Sequence, residues 1–163
     1  MSSCLAIELC IPPDWERIEA VRSAVAACFA AVTRDAEVDQ ALAMVCAELL
    51  ENALKYGRAQ TQGVHLSVAE AKGEVLITVT NEIEPGSPHA TMLQAKLGWL
   101  RGFGDSAEAY VAAMSEIYAR NDEREGGLGL VRIVHEGGCA LECDVAQEHV
   151  TMRARRAVPL ACS

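Results

Sequence analysis

Apolar residues recur at every second position from Cys4 to Ile11, with Leu5, Ile7, Leu9 and Ile11 on one side, and this alternation predicts a strand. Pro12 and Pro13 cannot donate to a ladder and end it. The period then changes. Trp15, Ile18, Val21, Val25, Cys28, Phe29 and Val32 share one face of a helix, with Asp14 as its N-cap. Asp35 caps a second helix whose apolar stripe is Val38, Leu42, Val45, Leu49, Ala53 and Tyr56, and Gly57 stops it. Period two returns at Val64, Leu66 and Val68 and again at Val75, Ile77 and Val79, with Lys72-Gly73 as the hairpin turn. A long section, 82–125, opens with Pro85, Gly86 and Pro88, holds helical patterns near 91–101 and 107–119, and closes with the polar run 120–125. Gly126-Gly127-Leu128-Gly129 opens a short helix through His135, which Gly137-Gly138 ends. Leu141, Cys143 and Val145, then Val150 and Met152, predict two last strands.

The order is β-α-α-β-β-(helical insert)-α-β-β. Short turns join most neighbouring strands, so the sheet is mixed or antiparallel, and the helices must cover one face of it. The expected fold is a two-layer α/β sandwich. No internal repeat or shift in composition marks a boundary. A single domain is expected over 1–156, with the helical insert at 82–125 and a loose tail at 157–163.

Composition narrows the function. A chain of 163 residues, 51% hydrophobic, buries a core without metal or disulfide staples. It carries 14 basic and 23 acidic residues, a net charge of −9. Nucleic acid and anionic membrane surfaces both select for the opposite sign, so neither is an expected partner. The seven cysteines are an odd number, several sit in apolar segments (Cys10, Cys28, Cys46), and no CxxC occurs, which suits the cytoplasm. His135, Cys139 and Cys143 are evenly spaced, but the glycine pair interrupts any helix between them, and zinc is not expected there. The first residues lack the basic n-region of a signal peptide. No apolar run approaches the ~20 residues needed to span a bilayer.

The strongest chemical signal lies on the second helix. Glu48, Asn52 and Lys55 fall on one strip at the edge of its apolar stripe. An amide oxygen at Asn52 is a hard, neutral ligand suited to Mg²⁺ beside phosphate oxygens. Glu48, one turn earlier, can accept a proton from an attacking hydroxyl or water. Lys55 can neutralise phosphate charge. The plainer alternative is an amphipathic helix with a solvated polar strip. A second signal is Gly126-Gly127-Leu128-Gly129-Leu130. Glycines there allow close approach of backbone N–H groups to a phosphate. A flexible linker is the plainer alternative, although a solvated linker would not place Leu128 and Leu130 among its glycines.

Glu48-x-x-x-Asn52-Ala53-x-Lys55-Tyr56-Gly57 resembles the N box of the GHKL ATPases (gyrase, Hsp90, histidine kinase, MutL), and Gly127-Leu128-Gly129-Leu130 resembles their second glycine box. The element order is similar to their Bergerat fold over nearly the whole chain. The short form is most similar to the anti-sigma-factor serine/threonine kinases of bacterial partner switching, and the helical insert resembles their SiaB-like branch. The resemblance implies ATP and Mg²⁺ as cofactors, with Asn52 on the metal, Glu48 as general base, and Lys55, Gly127, Leu128 and Gly129 around the phosphates. Thr151 resembles a family threonine near adenine, although a β-branched residue in a strand needs no such role. One box departs from the pattern. The family places an Asp at the end of the third strand to accept the adenine amino group; here Asn81 stands there, and only Gly86 follows as a glycine. Losing a charge-assisted hydrogen bond costs about 1.5–3 kcal/mol, on the order of ten- to a hundredfold in affinity. Nucleotide binding is then weak, or adenine is held differently, or the site is dead.

Three functions follow. One is an ATP-dependent protein serine/threonine kinase acting on a small regulatory protein, an anti-sigma-factor antagonist or a sigma factor. Another is a degenerate binding module that regulates a partner without turnover. A homodimeric adaptor joined through the insert is a third. The four histidines lack the His-Glu-x-x-Asn/Thr-Pro setting of a phosphoacceptor, no nucleophile elbow occurs, and 163 residues leave no room for the domains of a gyrase-type machine.

Overall fold

Along three strands every second residue is buried against helices. In β2 (Val64–Ala71) these are Val64, Leu66 and Val68; in β3 (Glu74–Glu82), Val75, Ile77 and Val79; in β5 (His149–Ala157), Val150, Met152 and Ala154. With β1 (Leu5–Ile11) and β4 (Ala140–Ala146) they form a five-stranded sheet in the order β1-β2-β3-β5-β4. The computed structural model describes residues 5–58, 63–120 and 127–159.

Every pairing among these strands is antiparallel. The sheet is therefore not mixed, and the reason lies in the connections. The segment between β1 and β2 holds two helices, α1 (Glu16–Ala30) and α2 (Ala36–Tyr56), and an even number of helices returns the chain to the sheet end where β1 finished. The pairs β2–β3 and β4–β5 are hairpins. Lys72 and Gly73 take φ of 56° and 79°, as a two-residue turn matched to strand twist requires. The last strand runs on past the expected start of a loose tail. Ala157 pairs with Glu74, and Val158 is buried, its N–H donating to the Gly73 carbonyl at 2.8 Å.

α2 is the central helix. It packs on α1, on β2 and β3, and on the short α5 (Gly129–His135). Leu42, Val45 and Leu49 are fully buried, with Val25 and Phe29 of α1 and Ile133 of α5 beside them. Each such side chain contributes about 1.5–3 kcal/mol by leaving water. Asp35 caps α2 by accepting the N–H groups of Glu37 and Val38. The cap position of α1 is Trp15 rather than the expected Asp14, which stands two residues before the helix and accepts the N–H of Glu16 at 3.0 Å. Glu48, Asn52 and Lys55 lie on one strip of α2, the first two partly covered and Lys55 exposed.

The insert contains α3 (His89–Arg101) and α4 (Ser106–Arg120), each within two residues of the predicted helical patterns. Leu93 and Leu97 join the main core, α3 lies against β4, and α4 lies against α5. The insert therefore packs on the body while leaving Met92, Val111 and Tyr118 largely in solvent. No helix among the described residues is long and apolar enough to cross a membrane.

Candidate functional site

α2, α3 and α4 and the start of α5 enclose a cavity of about 760 Å³, larger than the clefts at α1/α2 (about 500 Å³) and at α3/α5/β4 (about 420 Å³). That volume is in the range of small-molecule sites. α2 contributes Asn52, Lys55 and Tyr56 to the wall, and the residues at the α5 end are Gly127 and Leu130. Asn52 and Lys55 of the α2 strip and Gly127 of the glycine segment thus meet at one space.

The meeting is close. A Cβ on Gly129 would lie 2.7 Å from Glu48 Oε2 and 3.8 Å from Asn52 Nδ2, so no other residue fits there without moving the Glu48 carboxylate. That carboxylate is only 13% exposed and is held by the guanidinium of Arg132, one turn into α5. Arg132 also bonds Glu136 at 3.2 Å. Burial pushes the Glu48 carboxyl up from its ordinary range, and the Arg132 charge offsets part of that. A carboxylate tuned upward in this way is a better proton acceptor near neutrality. Asn52 Nδ2 is buried without a hydrogen-bond partner.

The insert supplies the far wall. His89, Met92, Lys96 and Trp99 of α3 face the cavity, as do Glu116 and Arg120 of α4. The His89 ring lies 4.8 Å from that of Tyr56. Lys96 Nζ sits 3.7 Å from the centre of the Trp99 ring, and burial lowers its pKa, against the pull of Glu116. Lys55 Nζ is 5.2 Å from the Tyr56 ring centre. Several cations and an aromatic wall around one unpartnered amide suit an anionic ligand with a planar part. The unpartnered Asn52 N–H₂ group beside the space left by Gly129 suits a phosphate oxygen, and Oδ1 of the same amide is the atom that would hold Mg²⁺.

Of the residues singled out in the sequence, Asn52, Lys55 and Gly127 line this cavity, Glu48 and Gly129 stand against Asn52, and Asn81 and Thr151 lie elsewhere. Asn81 is buried at the end of β3, where its Nδ2 donates to the Glu82 carbonyl at 3.2 Å and lies 3.0 Å from where a Cβ on Gly57 would be. It is not among the residues lining the cavity, and the end of α2 lies over it. Thr151 pairs with Thr80 in the β3–β5 register, and the two hydroxyls are 3.1 Å apart. Both point to the face of the sheet opposite α2, because residues of the other parity, Val79 and Met152, fill the core. Thr151 therefore cannot reach a ligand held between α2 and α3. Leu128 is the residue before α5, and its carbonyl accepts the Arg132 N–H at 2.8 Å. Gly126 and the run 121–125 lie outside the described residues.

Arg132, His89, Lys96 and Trp99 join the site from outside the sequence motifs. Arg132 follows Gly129 by three residues, one turn, which marks it as a neighbour of the glycine segment. His89, Met92, Lys96 and Trp99 are spaced three, four and three apart, one face of a helix.

The family model described as histidine kinase-like ATPase domain matches residues 11–153. A chain of the crystal structure of the SiaB-SiaC complex from Pseudomonas aeruginosa has the same fold, with a TM-score of 0.67 and 17% identity over 94% of this chain and 89% of that one. No curated protein matches the chain.

Proposed function

The chain belongs to the histidine kinase-like ATPase family, and from that premise we propose that it binds ATP with Mg²⁺ between α2 and the insert and transfers the γ-phosphate to a serine or threonine of a small regulatory protein. The observation that carries this reading is the contact of Gly129 with Glu48 and Asn52, a gap that only glycine leaves, between a buried carboxylate and an unpartnered amide. Asn52 would hold the metal, which when bound neutralises phosphate charge. Lys55 and Lys96 would bind phosphate oxygens. Glu48 would take the proton of the attacking hydroxyl. Positioning and charge neutralisation carry most of such a reaction. The likeness in fold to a chain of a two-protein complex supports a protein partner, which by the resemblance of the sequence would be an anti-sigma-factor antagonist or a sigma factor.

One observation favours the second reading, a binding module without turnover. Asn81 is spent on the Glu82 carbonyl and does not face the cavity. Melting the protein with ATP and Mg²⁺ separates the two when followed by a transfer assay with γ-labelled ATP and the candidate partner. Saturation at a hundred times Kd stabilises the fold by about 2.7 kcal/mol. A shift that disappears in Asn52→Ala, with label moving to the partner, is expected of the kinase. Binding without transfer, or no binding, leaves the module.

A further inference from the structure

Among the described residues two buried side-chain atoms have no hydrogen-bond partner, Asn52 Nδ2 and His89 Nδ1, and both residues line the α2–α3 cavity. Buried polar groups are otherwise almost always satisfied, so two on one wall mark where a ligand makes its bonds. The nucleotide reading gives Asn52 a task and gives His89 none.

We propose that His89, delivered by the insert, is the polar contact that reads the base of the bound nucleotide, in place of the carboxylate missing from the end of β3. This rests on the nucleotide reading and adds the residue that sets base specificity. The geometry of α2 orders the site. Glu48, Asn52 and Tyr56 are successive four-residue steps on one helix, so Tyr56 stands about 12 Å along from Glu48 at 1.5 Å per residue. Glu48 and Asn52 meet the glycine segment at one end, where the phosphates belong. Tyr56 and His89 pair their rings at the other. Met92 and Leu93 of the same wall are apolar and tell no base from another. The imidazole nitrogen accepts from an exocyclic amine or donates to a ring nitrogen, one neutral hydrogen bond in either case. Asn81 cannot do this from beneath Gly57. On the ATP reading, the base is therefore held by the insert rather than by the sheet.

The test measures binding of ATP, GTP and inorganic tripolyphosphate, each with Mg²⁺, to the full chain and to His89→Phe and His89→Gln, beside the melting of each protein without ligand. Phe keeps a ring against Tyr56 and removes the unpartnered nitrogen. We expect it to melt at the same temperature as the wild type or higher, to bind ATP about five- to tenfold more weakly, to lose preference for ATP over GTP, and to bind tripolyphosphate unchanged. Gln should recover part of the ATP affinity. Unchanged ATP binding in His89→Phe overturns the assignment and leaves the nucleotide reading standing, and so does an equal loss for ATP and tripolyphosphate. A lower melting temperature without ligand means that the imidazole serves the fold, and also overturns it. A wild-type chain that binds no ATP overturns both.

Discussion

Arg132 on α5 holds the carboxylate of Glu48 on α2, and so ties the glycine segment to the helix that carries the polar strip. The pair also sets the charge state of Glu48. Burial raises its pKa, and the guanidinium, beside Glu51 and Glu136 that push the other way, is the main influence that lowers it.

Removing that guanidinium should therefore move the pH dependence of any reaction that uses Glu48 as a base. In Arg132→Met the carboxyl loses its nearby cation and titrates higher. The acid limb of kcat/KM for phosphate transfer should shift to higher pH, with the plateau at alkaline pH largely kept. A profile that keeps its midpoint while its height falls would mean that Arg132 acts on the ligand and not through Glu48.

Stability should show the same group with the opposite economy. The folded-state pKa of Glu48 lies above the ordinary value of 4.5, so between the two values the folded chain binds more protons than the unfolded one. Stability contributed at this site then falls as pH rises from the ordinary value through the folded pKa, and levels off above it. Glu48→Gln removes the titration. It should match the wild type at or below the ordinary value and exceed it near neutrality, since Arg132 is 37% exposed and keeps Glu136. Denaturant melts of both proteins across this range give the difference directly, and a gap that does not grow with pH would refute the sign.

Two glycines, one opening α5 and one just past its end, should respond differently to alanine. At Gly129 the added Cβ meets the end of a flexible side chain, Glu48 Oε2, which can swing aside. Gly129→Ala should cost less than about 1 kcal/mol of stability, or 2–4 °C at most, yet displace the carboxylate and suppress transfer strongly. At Gly137 the same atom would lie 2.4 Å from the Ile133 carbonyl and 2.4 Å from Val45 Cγ2, and backbone cannot step aside. Gly137→Ala should cost about 1–3 kcal/mol or more. Melting temperatures and transfer rates for the two variants should thus rank in opposite orders.

Much of this was legible in the chain because periodicity is local. The α2 stripe and its Asp35 cap, the Lys72-Gly73 turn and both insert helices follow from spacing alone, and the strip holding Glu48, Asn52 and Lys55 follows from the same rule. What spacing alone does not give is the packing across a sheet. Thr151 sits next to Met152, and a one-residue step in a strand reverses the face, which only the β3–β5 register fixes. Asn81 has the parity of the core residues, yet Gly57 closes over it, a contact between segments more than twenty residues apart. His89 and Lys96 were hidden because the packing of an insert on the body is tertiary. Their helix was readable, but its docking partner was not.

Asn81 gives the last prediction, and its sign separates a lost recognition residue from a structural one. If the chain merely lacked a family carboxylate, Asn81→Asp would restore adenine binding. The contacts of Asn81 argue for the opposite outcome. Asn81 is 6% exposed, and its amide N–H₂ donates to the Glu82 carbonyl. An aspartate there would set a carboxylate oxygen against a carbonyl oxygen with no donor between them. Loss of one buried hydrogen bond with both acceptors unsatisfied costs about 1–3 kcal/mol. Aspartate would also take up a proton to recover the bond, so the loss should shrink at low pH. ATP affinity measured on the folded fraction should not improve, because the side chain lies beneath Gly57 and outside the cavity. A variant that binds ATP more tightly without losing stability would show that the end of α2 opens to admit the base, and would return base recognition to the sheet.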